Sequence, residues 1–220
     1  MSHLPAAALF DLDGVLVDTE TIYTRIWDEI ESVFPTGIPN FAMSIKGCTL
    51  PDILSRYFPQ PEVSQKVCQM LKEREEAMDY PVFEGVMNFL EELHQAHVPS
   101  AIVTSSGDAK MGRLAKREPR FYAMFDAVIT DSCVTHSKPH PEPYLTGAKM
   151  LGVDAHDCIV FEDSLSGMAA GRAAGAVVVG LATTNPRETI QGKADVLVDN
   201  FRGLHLADLL DMIKESGREF

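Results

Sequence analysis

Short apolar runs rich in β-branched residues recur along the chain, and the gaps between them carry helical periodicity. That alternation restricts the fold more than any other feature. The runs fall at residues 7–11, 100–104, 127–130, 158–162, 176–181 and 196–198. Each is apolar on both faces, the pattern of strands buried in a parallel sheet. Between them, residues 85–96 place Val86, Phe89, Leu90 and Leu93 at i, i+3, i+4, i+7 spacing, and residues 143–151 and 204–213 repeat the pattern. Strand, helix and strand in succession predict an α/β fold, a doubly wound parallel sheet.

Residues 19–79 break this rhythm, with helical periodicity, prolines at 35, 39 and 51, and no strand pattern. We read them as a helical insertion after the first strand, giving a core domain of residues 1–17 and 81–220 and a cap domain of residues 18–80. An insertion there is expected over the carboxyl ends of the strands, where open α/β sheets bind ligands, with hinges near Val17 and Tyr80. The length of 220 residues, about one and a half times a ~150-residue domain, accommodates such an addition.

Composition sets outer limits. Apolar residues at 45% and charged residues at 23% are globular values and leave no basis for a disordered or fibrous chain. Lys plus Arg at 19 against Asp plus Glu at 32 gives a net charge of −13, which argues against nucleic acid and anionic membranes as partners. Cys48, Cys68, Cys133 and Cys158 are widely spaced and suggest neither a zinc knuckle nor a disulfide framework. The first ten residues lack a basic region and a long apolar run, so the expected location is cytoplasmic. Gly167, Gly171 and Gly175 lack a nucleotide-binding pattern and are expected to let a helix pack closely on the sheet; residues 214–220 are expected to fray.

Chemistry-bearing residues gather at strand ends. The first run ends in Asp11-Leu12-Asp13-Gly14, and alternate residues of a strand share a face, so both carboxylates meet at one mouth unless the Asp-Gly pair only makes a turn. The second ends in Thr104-Ser105-Ser106-Gly107, able to cradle an oxyanion or simply to cap a helix. After the third, Lys138 lies in a proline-stiffened loop and offers an ammonium to phosphate or to solvent. His136 and His140 flank it, but prolines forbid a helical metal face, which argues against them as ligands. The fourth ends in Glu162-Asp163, adjacent acids whose repulsion a hard cation such as Mg²⁺ removes and whose alternative is a helix cap. In a parallel sheet all these ends lie on one side, and a single phosphate-plus-magnesium site accounts for them together. Thr183, Thr184 and Asn185 follow the next strand and are candidates to line it.

In order and spacing, Asp11-x-Asp13-Gly14-Val15, Thr104, Lys138 and Glu162-Asp163 resemble the four motifs of the haloacid dehalogenase (HAD) superfamily, over nearly the whole chain. The insertion and the Asp18-Thr19-Glu20 continuation resemble the beta-phosphoglucomutase-like, sugar phosphatase branch with an alpha-helical cap on a Rossmann-like core. The resemblance implies that Asp11 is the nucleophile forming an aspartyl-phosphate, and that Asp13 is the general acid and base. It implies that Thr104 and Lys138 hold the phosphoryl oxygens, with Ser105, Thr19 and Lys46 also binding substrate. Mg²⁺ is implied at Asp11, Asp13 (through its carbonyl), Glu162 and Asp163.

Mutases of this branch carry a histidine and an arginine in the cap where this chain has Tyr23 and Leu50. The departure favours a phosphohydrolase of a sugar or polyol monophosphate over an isomerase of the beta-phosphoglucomutase type, since a mutase must grip a second phosphate. Lys46, Arg56 and Arg74 are the cations available as substitutes, and Tyr23 and Trp27 are expected to pack the cap interior. The expected partner is a small phosphorylated metabolite, bound by a monomer or weak homo-oligomer.

Overall fold

The computed structural model describes residues 4–45 and 50–220; Lys46 and Cys48 lie outside them. The chain divides into two compact units, Met1–Asp18 with Tyr80–Phe220, and Thr19–Asp79.

In the first unit, strands β1 (Ala7–Phe10), β2 (Ser100–Val103), β3 (Ala127–Ile129), β4 (Cys158–Glu162), β5 (Val177–Leu181) and β6 (Val196–Val198) form a parallel sheet in the order β3-β2-β1-β4-β5-β6. The α/β expectation holds, and each apolar run becomes a strand to within a residue at its ends. Chain order reverses between β1 and β4, and the crevice beyond the carboxyl ends of strands at such a reversal is where doubly wound sheets bind ligands.

After the described helices of the other unit, given below, the chain continues with α5 (Val86–Gln95), α6 (Asp108–Arg117), α7 (Pro119–Tyr122), α8 (Glu142–Leu151), α9 (Leu165–Ala173), α10 (Arg187–Ile190) and α11 (Leu206–Glu215). Alternation along each strand builds an apolar layer on each face. On one, Leu9, Val103, Val160 and Val178 pack with Tyr144 and Ala148 of α8 and Met168 and Ala170 of α9. On the other, Phe10 stacks on its register partner Phe161 at 4.4 Å, and Phe89 of α5 and Phe201 close around them. Gly171 packs as expected: a Cβ there would lie 2.9 Å from Val160 and 3.0 Å from Val178. The tail does not fray as expected. Arg218 donates to the carbonyls of Gly175 and Ala176, both at 3.1 Å, and this anchors the chain after α11.

In the second unit, α1 (Thr19–Val33), α2 (Phe41–Ser44), α3 (Leu50–Tyr57) and α4 (Pro61–Ala77) enclose their own apolar heart. Phe41 is its hub, edge-on to Trp27 at 6.0 Å, Tyr57 at 5.1 Å and Phe58 at 5.8 Å. Trp27 therefore packs the interior, while the Tyr23 hydroxyl donates to Glu75 at 3.0 Å.

Candidate active site

Asp11 follows β1 directly, and its N–H donates to Phe161 O at 3.0 Å, so the ladder with β4 runs one step past the strand. Gly14 then adopts φ +81°, and a Cβ there would lie 2.6 Å from Thr184 Oγ1 and run into the Asp163 carboxylate. Only glycine lets the chain turn back that close to β4's end. Thr183 Oγ1 donates to Gly14 O, and Asn185 donates to Asp163 O at 3.0 Å, so the segment after β5 braces both turns.

Lys138 joins the strand ends. Its ammonium donates to Asp11 Oδ1 at 2.5 Å, Glu162 Oε1 at 2.6 Å and Val103 O at 3.0 Å, with the Tyr144 ring 4.9 Å away. The lysine side chain is only 5% exposed. A buried ammonium persists only where carboxylates surround it. Glu162 Oε1 also accepts from Tyr144 at 2.7 Å, while Oε2 accepts from the N–H groups of Asp163 and Ser164 and from Ser164 Oγ. The expected capping role near β4 falls to Ser164, which accepts from Gly167 N at the start of α9.

Asp13 turns toward the end of β2. Lys110 Nζ lies 2.6 and 2.7 Å from its two oxygens, and Ser106 Oγ donates to it at 2.9 Å. Thr104 is buried, and its hydroxyl accepts from Ser106 N at 3.0 Å; Ser105 is exposed beside it. Thr19 begins α1 and is buried. Lys46 lies outside the described residues.

The charges do not balance. Burial raises Asp11 well above its ordinary range; Lys138 opposes this, and Glu162, Asp163 and Asp13 add to it. Burial, then Glu162, pushes Asp163 up to about 7. Burial alone would lower Lys138 and raise Glu162, but the charges of Asp11 and then Glu162 hold the lysine above its ordinary value, and Lys138, with hydrogen bonds from Tyr144 and Ser164, holds Glu162 below its own. One lysine thus faces more negative charge than it neutralises. Oxygens of Asp11, Glu162 and Asp163 lie within 4.8 Å of one another, a hard, oxygen-only donor set that fits Mg²⁺.

Sequence reasoning placed Ser106 in the oxyanion-cradling run and not beside Asp13, and it missed Lys110 and Tyr144. Lys110 left a signal: a cation in the first turn of α6 opposes the helix dipole and needs an anion nearby to justify it. Tyr144 left another, since a tyrosine on the apolar face of a helix needs a partner for its hydroxyl.

Residues 8–181 match the family model of the haloacid dehalogenase-like hydrolases. Validoxylamine A 7'-phosphate phosphatase of Streptomyces hygroscopicus subsp. limoneus is 31% identical over 200 residues, covering 87% of this chain and 92% of that protein. Glycerol-1-phosphate phosphohydrolase 2 of Saccharomyces cerevisiae is 26% identical over 219 residues, covering 91% and 84%. The crystal structure of beta-phosphoglucomutase from Clostridium difficile superposes with a TM-score of 0.73 at 22% identity, covering 96% of this chain and 98% of that one, a likeness of fold. The chain belongs to the haloacid dehalogenase-like hydrolases, with a beta-phosphoglucomutase-like fold, and it is a phosphoric monoester hydrolase.

Proposed function

We propose that the protein is a Mg²⁺-dependent phosphohydrolase that releases phosphate from a small sugar or polyol monophosphate through an aspartyl-phosphate on Asp11. The observation that carries this reading is Lys138, buried and hydrogen-bonded to both Asp11 and Glu162 across the β1–β4 crevice. The phosphate esters named for the two relatives support the substrate class.

In the proposed reaction an Asp11 oxygen forms a bond to phosphorus as the ester P–O bond breaks, and Asp13 gives its proton to the departing oxygen. Asp13 then takes a proton from water, whose oxygen attacks phosphorus and breaks the bond to Asp11. Thr104, Ser105 and Lys138 hold the phosphoryl oxygens, and Lys110 and Ser106 hold Asp13 between steps. Asp11, Glu162, Asp163 and the Asp13 carbonyl would hold Mg²⁺. Glu162, whose oxygens already accept several hydrogen bonds, also keeps Lys138 in place. When bound, the ion offsets the surplus negative charge and screens anionic Asp11 from anionic phosphate.

The test is Asp11→Asn, which should cut phosphate release from sugar and polyol phosphates by at least ~10³-fold. Release unchanged by that substitution, or undiminished by complete EDTA treatment, would place the activity elsewhere. A mutase reading finds less support. Arg74 is paired with Glu29 and Arg56 lies over the Tyr57 ring at 5.2 Å, so the described substitutes for a second phosphate grip already have partners. Glucose 6-phosphate forming faster than free phosphate, from beta-glucose 1-phosphate with a trace of bisphosphate, would reverse that preference.

A further inference from the structure

Prolines 139 and 141 do exclude a helix through the loop before α8, but a turn brings His136 and His140 together anyway. His140 N donates to Ser137 O at 3.0 Å, and the two imidazole rings lie 4.5 Å apart, tilted by 31°. Glu142, the first residue of α8, supplies the third group. Its carboxylate is anchored by the N–H groups of Thr135 at 2.8 Å and His136 at 3.0 Å, which aims one oxygen at the rings. That oxygen lies 2.8 Å from His136 Nδ1 and 3.9 Å from His140 Nδ1. Two ligands at zinc distances around a tetrahedral ion are separated by about 3.3 Å, and the observed pair brackets that value.

We propose that His136, His140 and Glu142 form a second metal site, one that takes a single borderline divalent transition ion such as Zn²⁺ or Co²⁺. The donor set is the argument: two imidazoles and one carboxylate favour such ions, whereas the oxygen-only cluster of Asp11, Glu162 and Asp163 favours Mg²⁺, so the two sites sort ions by chemistry. The existing hydrogen bonds yield cheaply. The ion replaces the proton between His136 Nδ1 and Glu142, and displaces the Glu142 N–H that reaches His140 Nδ1 at 3.2 Å. That N–H lies in a helix's first turn, where solvent satisfies it. The side chains are 61%, 50% and 28% exposed, which leaves the ion an entry path and room for water as its fourth ligand. Lys138 lies between the two histidines in the chain, so an occupied site clips the loop on both sides of it. The site itself does not depend on the reaction proposed above.

The experiment titrates the full-length protein, with Mg²⁺ in excess to occupy the oxygen-only cluster. Co²⁺ is followed by its visible absorption and Zn²⁺ by competition with a chromophoric chelator. One equivalent should bind, and His136→Gln/His140→Gln should weaken that binding at least ~100-fold and remove the Zn²⁺-dependent rise in melting temperature. Uptake by the double variant equal to the parent's would overturn the proposal. Should that variant fold poorly, imidazole ¹⁵N resonances of the parent decide the matter: His136 and His140 shift on Zn²⁺ addition if the site exists and stay fixed if it does not.

Discussion

Inside the helical unit, Ile26, Trp27, Ile30, Phe41, Phe58, Val67 and Leu71 are buried in a cluster whose other described members, among them Ala42, Ile45 and Ile53, are apolar or aromatic. Inside the sheet unit, Glu162 and Asp163 are buried at the end of β4, with Asp11 and Lys138 close to buried beside them. Among the described residues, that first interior packs α1 to α4 against one another. The second carries charges that oppose folding, and under the proposed function these are the charges that bind phosphate and a metal ion. Removing a side chain should therefore have a different signature in each unit.

The largest effect belongs to Lys138→Met. It leaves Asp11 and Glu162 buried without their cation, so the metal-free protein should lose about 3–5 kcal/mol of stability, and turnover should fall by ~10³-fold or more. Added Mg²⁺ should restore part of the melting temperature and none of the turnover. A variant that keeps its melting temperature in EDTA would show that the charges of the sheet unit are not in conflict, and the contrast between the units would fail.

Trp27→Ala tests the other side. The residue is 8% exposed and edge-on to Phe41, so its loss should cost ~3–5 kcal/mol, read by denaturant unfolding with and without Mg²⁺. Here added Mg²⁺ should recover nothing specific to the variant. Val33→Ala, at a position 53% exposed, should change stability by less than about 0.5 kcal/mol and marks the baseline. Equal losses at Trp27 and Val33 would mean that the aromatic cluster contributes little.

The two units also differed in how far they could be read from sequence. The strands and the Asp11, Lys138 and Glu162 constellation were legible because parallel strands are uniformly apolar and their functional residues sit at the ends, where chain order alone puts them on one side. Lys110 and Tyr144 were not, because each lies on a helix whose rotation relative to the sheet is set by packing. The anchoring of the tail by Arg218 escaped for a similar reason, since its carbonyl partners are far away in sequence. The turn that pairs His136 with His140 runs through prolines, and these rule out a helix without excluding proximity.

Lys110→Met probes one of those missed residues. The ammonium holds both oxygens of Asp13, and a charge-assisted hydrogen bond contributes about 1.5–3 kcal/mol, so freeing the carboxylate should lower kcat by ~10–100-fold with KM little changed. Lys110→Arg should recover part of the loss. An effect confined to KM would assign Lys110 to substrate binding and leave Asp13 to be positioned by Ser106.

The smallest effect separates one exposed tie in each unit. In the sheet unit Glu92 of α5 accepts from Leu206 N at 2.7 Å and lies 2.7 Å from His205 Nδ1, fastening the start of α11. In the helical unit Glu29 of α1 pairs with Arg74 of α4. The hydrogen bond to Glu92 and its charge raise His205 above its ordinary 6.5, so its contribution is complete below pH 6.5 and fades as pH rises through the folded value. Glu92 is lowered from 4.5, first by the Leu206 N–H and then by His205, so its contribution is complete above pH 4.5 and fades as pH falls through its own folded value. Glu29 is likewise lowered from 4.5, by its hydrogen bond from Arg74, but Arg74 keeps its charge at alkaline pH. Glu92→Gln should thus lower the melting temperature more at pH 5.5 than at pH 8.5, whereas Glu29→Gln should lower it equally at both. A Glu92→Gln deficit that does not shrink at pH 8.5 would reduce the His205 contact to packing and leave the Leu206 cap as the whole of that tie.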